Sequence, residues 1–422
     1  MTLPTHLPVA SVLDRLSRER VVELASELIA IPSLSGDEDV IQQHLASLLT
    51  AMGARVQTWP ADTAVLQRNP WFSAEVDRAE PICVLATFGA DSGPTLLINA
   101  HVDVVPPGDP GGWTRGPFEP HVRDGLLYGR GACDTKGGLA AVLHALEAIV
   151  GAGVELPGSV IVAPVYGEED GGSGTLAVLE RGPHADGCLV IEPTELSVVP
   201  AVAGALSFRI SLTGRSAHGA LREEGVSAIE RLPLIHHALL ALEQRRNAAA
   251  AEELFAWLST PFSICVGKVR AGDWASNEPD WAVLEGRYGV APDENLDSAR
   301  SEFESAVAAA AAEDDWLREH PPTVEWVGGQ FYPARTRPAP ILTAMAAGVA
   351  DATGADAPVR GMPYGCDMGI TVGAAGIPTV VFGPGDIRAA HRPDEHVAVD
   401  DLDAASRAIA IAILRFFELE RA

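Results

Sequence analysis

Positively charged side chains are scarce in this sequence. The chain has 30 Lys and Arg residues against 57 Asp and Glu residues in 422 positions, which gives a formal net charge of −27. Proteins bind nucleic acid largely by neutralising its phosphates with Lys and Arg. The charge balance therefore weighs heavily against a nucleic-acid partner and is typical of an acidic, well-solvated surface.

Cysteines and long apolar runs are also few. The 5 cysteines are odd in number and widely scattered, which excludes both a disulfide framework and a Cys-x-x-Cys zinc site. No uncharged apolar run reaches the length of about 18 residues that a membrane helix needs. The first ten residues lack a cationic stretch before an apolar one. We therefore expect a cytoplasmic protein with no membrane partner.

Strand-like and helix-like patterns alternate through the first half of the chain. The runs that favour strands are 82–88, 95–100, 159–166 and 188–192. Helical stretches such as 138–150 lie between them, and this alternation predicts an α/β sandwich. Residues 61–80 follow neither pattern, and we interpret them as a surface insertion.

The pattern changes near residue 203. From there the order is strand, helix, strand, strand, helix, strand, which is the split βαββαβ order. Helix–strand–helix alternation returns after residue 340. We predict an α/β protein whose α/β/α domain, residues 1–202 and 325–422, carries an inserted ferredoxin-like lid of residues 203–324.

Side chains that bind metals follow several of the strand-like runs. The candidates are His101 and Asp103, Asp134, Glu168 and Glu169, Glu192, and His391. Ligands of open α/β sheets bind outside the carboxyl ends of the strands, so these distant residues can converge there. Imidazole and carboxylate ligands suit zinc or a similar divalent ion. The sequence therefore predicts a two-metal hydrolase.

The spacing within these motifs indicates different roles. In His101-Val-Asp103 both polar side chains face one side of a strand, so the carboxylate can orient a metal-binding imidazole. Asp134 lies in a glycine-rich run and could bridge two ions. Glu168 and Glu169 can divide into a metal ligand and a proton acceptor. Each motif alone also fits an ordinary structural pair or an acidic turn.

Taken together, the motifs resemble those of the di-zinc aminoacylase and carboxypeptidase metallohydrolases. That family includes acetylornithine deacetylase and succinyl-diaminopimelate desuccinylase. The motifs, in order, are His101-Val-Asp-Val-Val-Pro, Leu127-Tyr-Gly-Arg-Gly-Ala-Cys-Asp-Thr-Lys-Gly-Gly, Glu168-Glu-Asp-Gly-Gly, Ile191-Glu-Pro-Thr and Phe382-Gly-Pro-Gly. The similarity covers nearly the whole chain, with the lid at the corresponding place.

The resemblance implies a specific ligand set. One zinc would be held by His101, Asp134 and Glu192, and the other by Asp134, Glu169 and His391. Co²⁺ and Mn²⁺ are possible substitutes. Glu168 would be the general base, with Asp103 behind His101, and the bond after Asp134 would be cis.

The resemblance also implies roles for the lid and for the substrate pocket. His218 in Gly214-Arg-Ser-Ala-His would reach the active site of a partner subunit in a homodimer and support the oxyanion. Asn277 and Arg287 correspond to lid residues that bind substrate, and Gly383 offers a backbone N–H beside His391. A strand-surface ion pair for Arg287 and a plain turn at Gly383 remain open as alternatives.

The expected activity is removal of an acyl group from an N-acyl amino acid or a similar small amine, as in acetylornithine deacetylase. In relatives, a Glu at the position of Glu192 accompanies deacylases and carboxypeptidases. The chain departs from many relatives at Val202-Ala-Gly-Ala, where they have Arg-Gly or Lys-Gly, and this leaves the substrate open. A dipeptidase or carboxypeptidase, and a metal-free binding protein on the same fold, are the alternatives.

Overall fold

The computed structural model describes residues 7–182, 184–249 and 252–420. It divides into two compact units. Unit 1 comprises Met1–Ala201, Arg335–Gly361 and Cys366–Ala422, and unit 2 comprises Val202–Ala334 and Met362–Gly365.

The helices and strands alternate as the sequence predicts. The helices are α1 (Val9–Leu13), α2 (Arg18–Ile29), α3 (Asp39–Ala51), α4 (Thr63–Leu66), α5 (Lys136–Gly151), α6 (Ser173–Glu180), α7 (Ala228–Ala249), α8 (Leu296–Ala311), α9 (Asp315–Glu319), α10 (Pro340–Thr353), α11 (Met368–Gly373) and α12 (Val399–Leu419). The strands are β1 (Arg55–Pro60), β2 (Ile82–Gly89), β3 (Thr95–His101), β4 (His121–Arg123), β5 (Leu126–Tyr128), β6 (Ser159–Val165), β7 (Gly187–Ile191), β8 (Ala201–Val202), β9 (Gly204–Thr213), β10 (Ala217–His218), β11 (Ile264–Ala271), β12 (Asn277–Glu278), β13 (Trp281–Val290), β14 (Thr323–Phe331), β15 (Ala334–Arg335), β16 (Thr379–Phe382) and β17 (His396–Ala398).

Unit 1 is built on a 6-stranded sheet in the order β1-β2-β6-β3-β7-β16. Neighbours among β6, β3, β7 and β16 run parallel, while β1 and β2 form an antiparallel edge. The carboxyl ends of the four parallel strands therefore lie at one edge of the sheet. A separate 3-stranded sheet, β17-β5-β4, leads into the glycine-rich run before α5.

Helices cover both faces of this sheet. Residues of α2, α3, α5, α10 and α12 share one apolar cluster with alternate residues of the strands, such as Ile98 and Ala100. Asn99, between them, faces the other way and donates to Thr175 of α6. This alternation is the period of a strand buried on both sides, and the predicted α/β sandwich is confirmed.

Unit 2 contains a 4-stranded antiparallel sheet in the order β11-β13-β9-β14. The helices α7 and α8 share its apolar core, so the chain order is βαββαβ, and the predicted ferredoxin-like lid is confirmed as a fold. The predicted boundary at residue 324 falls inside β14, which is hydrogen-bonded to β9. A strand belongs to the sheet that satisfies its backbone, and the unit accordingly continues to Ala334 and takes in Met362–Gly365 as well.

Within the described parts of the chain, none of the helices combines the length and the apolar character that crossing a bilayer requires.

Candidate metal centre

The parallel strands of unit 1 bring most of the predicted ligands to one edge of the sheet. His101 ends β3, Glu168 and Glu169 follow β6, Glu192 follows β7, and His391 lies beyond β16. Asp134 arrives separately, from the glycine-rich run between β5 and α5. The convergence follows from the parallel arrangement, although only His101 lies within a strand.

The carboxylate of Asp134 contacts two imidazoles through different oxygens. Its Oδ1 lies 2.9 Å from Nε2 of His101, and its Oδ2 lies 3.2 Å from Nε2 of His391. Nε2 of His391 is also 3.1 Å from Oε2 of Glu169. A carboxylate with one oxygen directed to each histidine has the geometry needed to bridge two cations.

Among the residues that the structure describes, two groups of side chains could each hold an ion. One consists of His101, Asp134 and Glu169, and the other of His101, Glu168 and Glu192, with the ligand atoms of each group within 4.8 Å of one another. The second group contains Glu168, which the resemblance assigns to proton transfer rather than to metal binding. Glu168 therefore lies close enough to the ligands to act on a molecule bound between them.

The charge state of the cluster fits divalent cations. Burial and the neighbouring Glu192 raise the pKa of Glu168 well above its usual range, and burial together with Asp134 does the same for the pKa of Glu192. Burial and Asp134 also raise the pKa of Glu169. Burial and mutual repulsion thus disfavour the anionic carboxylates, and cations bound among them would supply the missing positive charge.

The same carboxylates raise the pKa values of the two histidines. Burial acts to lower the pKa of His101, but the hydrogen bond to Asp134 and the charge of Glu192 raise it well above its usual value. Hydrogen bonds with Asp134 and Glu169 raise the pKa of His391 to about 11. Imidazole nitrogen and carboxylate oxygen are the donor types of catalytic zinc sites, so these residues fit the metal that the resemblance implies.

Asp103 lies beside the cluster but contacts it differently from the prediction. Nδ1 of His101 lies 2.9 Å from the backbone oxygen of Asp103 and 3.7 Å from its Oδ1. The Asp103 carboxylate instead accepts the backbone N–H groups of Glu168 and Glu169, each at 3.1 Å. The backbone of Asp103 thus orients the imidazole, while its side chain fixes the turn that carries the two glutamates.

The run that precedes Asp134 is held by a residue that the sequence analysis missed. Oε1 of Glu395 accepts the backbone N–H groups of Gly131, Cys133 and Asp134 at 3.0, 3.0 and 3.1 Å. Its other oxygen pairs with the buried guanidinium of Arg130. The one sequence signal is the position of Glu395, four residues after His391. The Asp134–Thr135 peptide bond is cis, as the resemblance predicts.

The predicted lid residues lie in unit 2. His218 and Asn277 are direct cross-strand neighbours in the β10–β12 pair, and Nδ1 of the exposed His218 accepts the N–H of Ala220 at 3.1 Å. Nη2 of Arg287 donates to the backbone oxygen of Pro363 at 3.0 Å, and burial lowers the pKa of Arg287. The structure therefore groups His218 with Asn277 and gives Arg287 a backbone partner.

Gly383 has a structural explanation in unit 1. Its N–H donates to Oγ1 of Thr194 at 3.1 Å, so this donor is already used within the fold. A Cβ on Gly383 would lie 2.6 Å from the backbone oxygen of Glu192. The glycine thus allows the chain after β16 to pass close to Glu192, which is the plain-turn alternative.

Comparison with known proteins identifies relatives over almost the whole chain. The sequence profile of peptidase family M20/M25/M40 matches residues 97–415. N-formyl-4-amino-5-aminomethyl-2-methylpyrimidine deformylase of Bacillus subtilis (strain 168) is 29% identical over 407 residues, which cover 91% of this chain and 92% of the relative. Succinyl-diaminopimelate desuccinylase of Gluconacetobacter diazotrophicus is 33% identical over 397 residues, 90% of this chain and 92% of the relative.

Solved structures share the fold. The dipeptidase Dug1p of Saccharomyces cerevisiae superposes with a TM-score of 0.77 at 16% identity, over 97% of this chain and 98% of that one. A dinuclear metal-binding peptidase of the M20 family from Bacillus subtilis gives a TM-score of 0.63 at 18% identity, over 94% and 97% of the two chains. The resemblance to aminoacylase and carboxypeptidase metallohydrolases is confirmed.

Proposed function

Because the chain belongs to peptidase family M20/M25/M40, we propose that it is a zinc-dependent amidohydrolase. Its substrate would be an N-acyl amino acid or a similar small N-acylated amine, from which it removes the acyl group. The observation that carries the proposal is the Asp134 carboxylate, with one oxygen 2.9 Å from His101 and the other 3.2 Å from His391. Two deacylases among its relatives support the reaction type.

The ligand assignment follows the predicted set. His101, Asp134 and Glu192 would hold one ion, and Asp134, Glu169 and His391 the other. When bound, the pair of divalent ions supplies Lewis acidity at the scissile amide. Zinc is proposed because of its preference for imidazole and carboxylate ligands, and Co²⁺ or Mn²⁺ could replace it.

Glu168 is the proposed general base. It takes a proton from water as the water oxygen bonds to the amide carbon, and it returns that proton to the nitrogen as the C–N bond breaks. Asp103 holds Glu168 in place through the backbone N–H at 3.1 Å. The products are a carboxylic acid and an amine, so no redox partner is needed.

The lid residues are proposed to act on the substrate. His218 would donate to the oxyanion of the tetrahedral intermediate, in a homodimer that brings it to the partner's site, and Asn277 would assist it. Arg287 would bind a substrate carboxylate with its planar guanidinium. Gly383 would border the pocket through its backbone. The cytoplasm is the proposed compartment.

A dipeptidase or carboxypeptidase is the second candidate, favoured by the fold that the chain shares with the dipeptidase Dug1p. Both reactions use the same catalytic residues and differ in the acyl group. Assays of N-formyl, N-acetyl and N-succinyl amino acids beside dipeptides, with added Zn²⁺ or Co²⁺, distinguish the two. Absence of metal after gentle purification would favour a metal-free binding protein instead.

The decisive variant is Glu168→Gln, which keeps the shape of the side chain but cannot accept the proton. We expect kcat to fall by at least about 100-fold, the lower range of a general base, while bound zinc stays near two ions per chain. Metal analysis measures the bound zinc, and steady-state kinetics on the best substrate measures kcat. Glu155→Gln, at an exposed loop position, is the control. Full turnover by Glu168→Gln would refute the assignment of the base.

A further inference from the structure

A buried cluster of three charged side chains lies next to the proposed base and has no part in the chemistry described above. Nη2 of Arg78 is 2.7 Å from Oε1 of Glu38, and its Nη1 is 2.9 Å from Oδ2 of Asp170. The side chains of Arg78, Glu38 and Asp170 are only 4%, 3% and 6% exposed. Buried charges are costly unless they are paired, so each holds the others in place.

Asp170 is the residue directly after the Glu168–Glu169 pair, and residues 75–78 bind it at several atoms. Its Oδ2 accepts the N–H of Val76 at 2.8 Å in addition to the bond from Arg78. Its backbone oxygen accepts the N–H of Glu75 at 3.1 Å. The irregular segment 61–80 therefore attaches to the turn that carries the proposed base.

Glycines in that turn allow the close approach. Gly171 has φ +126°, and a Cβ there would lie 2.8 Å from the backbone oxygen of Ser73. Gly167 has φ +65°, and its Cβ would lie 3.0 Å from Cζ of Arg78. Both backbone conformations favour glycine, so the turn fits against the backbone of segment 61–80 at Ser73 and against the side chain of Arg78.

The turn is thus held from two directions. Asp103 binds the N–H groups of Glu168 and Glu169, and Arg78 binds the side chain of Asp170. The turn is also closed by the bond from the N–H of Gly171 to the oxygen of Glu168, at 3.0 Å. A shift of Asp170 would therefore move both glutamates.

We propose that Arg78 is a positioning residue, which holds Glu168 and Glu169 in register with the other ligands by binding Asp170. The assignment rests on the proposed function for the role of Glu168. Segment 61–80 would then support catalysis through Arg78, although none of its atoms takes part in the reaction.

Arg78→Ala tests this role. We expect kcat to fall by about 100-fold with little change in KM, because misplacement of a catalytic group by about 1 Å costs that much. Zinc affinity, measured by competition with a chelator, should fall by about 10- to 100-fold, since Glu169 is a proposed ligand. Added guanidinium ion should restore part of the kcat and part of the zinc affinity, because it can occupy the space left by the Arg78 side chain. Arg78→Lys should have a kcat and a zinc affinity between those of the wild type and Arg78→Ala. An ammonium group cannot bind Glu38 and Asp170 as a planar guanidinium does.

A double-mutant cycle separates this role from a general contribution to stability. If Arg78 acts through Asp170, the loss in the Arg78→Ala/Asp170→Ala double variant should be smaller than the product of the single losses. Arg181→Ala, which removes an exposed arginine over the ring of Trp59 in the same unit, is the control and should leave kcat and zinc affinity unchanged.

The proposal is overturned if folded Arg78→Ala keeps wild-type kcat and zinc affinity, or if guanidinium restores neither. Should Arg78→Ala not fold, Asp170→Asn decides: a folded variant with wild-type kcat and zinc affinity rejects the proposal. A wild-type protein that hydrolyses none of the amides would reject the proposed function alone, because the zinc affinities of the variants would still test the positioning role.

Discussion

At the scale of single residues, the candidate site depends on carboxylates that bind backbone N–H groups. Glu395 accepts three N–H groups from Gly131, Cys133 and Asp134 through one oxygen. Asp103 accepts the N–H groups of Glu168 and Glu169, one through each carboxylate oxygen. Hydrogen bonds to a charged acceptor are stronger than neutral ones, so these two residues hold loops whose backbone N–H groups have no strand partner.

Glu395→Ala should weaken zinc binding without removing any ligand. The run before Asp134 would lose three hydrogen bonds, and zinc affinity should fall by about 10- to 100-fold, as it does when residues that orient ligands are removed. Glu395→Gln keeps an acceptor oxygen but loses the charge that pairs with Arg130. Its zinc affinity should therefore fall less than that of Glu395→Ala. Competition with a chelator measures both affinities, and Glu155→Ala is the control.

Loss of Glu395 also leaves the buried Arg130 without its carboxylate partner, which destabilises the fold. The comparison is therefore made at a temperature where circular dichroism shows all variants folded. Wild-type zinc affinity in a folded Glu395→Ala variant would contradict the role given to this residue.

At the scale of elements, α5 packs closely against the central sheet at Gly138. A Cβ on Gly138, near its start, would lie 2.4 Å from Cγ2 of Ile191. Ile191 ends β7 directly before Glu192. Gly151, at the other end of the helix, would direct a Cβ to within 3.3 Å of Nη1 of Arg15, the far end of a flexible side chain. Packing against β7 thus requires the glycine at position 138, whereas the glycine at position 151 of the same helix is not required by packing.

Gly138→Ala and Gly151→Ala form a matched pair. Overpacking at Gly138 should lower the free energy of unfolding by about 1–3 kcal/mol. At Gly151, alanine should be neutral or raise it by up to about 1 kcal/mol, because alanine has the higher helix propensity. Thermal unfolding of the two variants beside the wild type provides the measurement. Equal stabilities would mean that α5 does not approach β7 this closely.

At the scale of the whole molecule, the parts of the fold with a regular pattern could be predicted from the sequence. The apolar runs before His101, Glu168 and Glu192 are strands of the central sheet, because alternation of strands and helices identifies a parallel sheet. The βαββαβ order of unit 2 followed from the same signals. Most of the candidate ligands converge because parallel strands end at one edge.

The other features of the fold and of the site depend on long-range contacts, which produce no periodic pattern in the sequence. Arg78 and Asp170 are 92 residues apart, and Arg130 and Glu395 are 265 apart, so neither pair is visible in a local pattern. Residues 362–365 join unit 2 as a segment too short to show a period. The predicted boundary at residue 324 falls inside β14 for a related reason, since the length of that strand is set by its pairing with β9.

Asp134 is proposed to join two cations, and anomalous diffraction from zinc-loaded crystals would locate both ions. We predict two anomalous peaks about 3.5–4 Å apart, each bound by a different oxygen of Asp134, one beside His101 and the other beside His391. A single peak, or two peaks that do not share Asp134, would show that Asp134 does not join two cations.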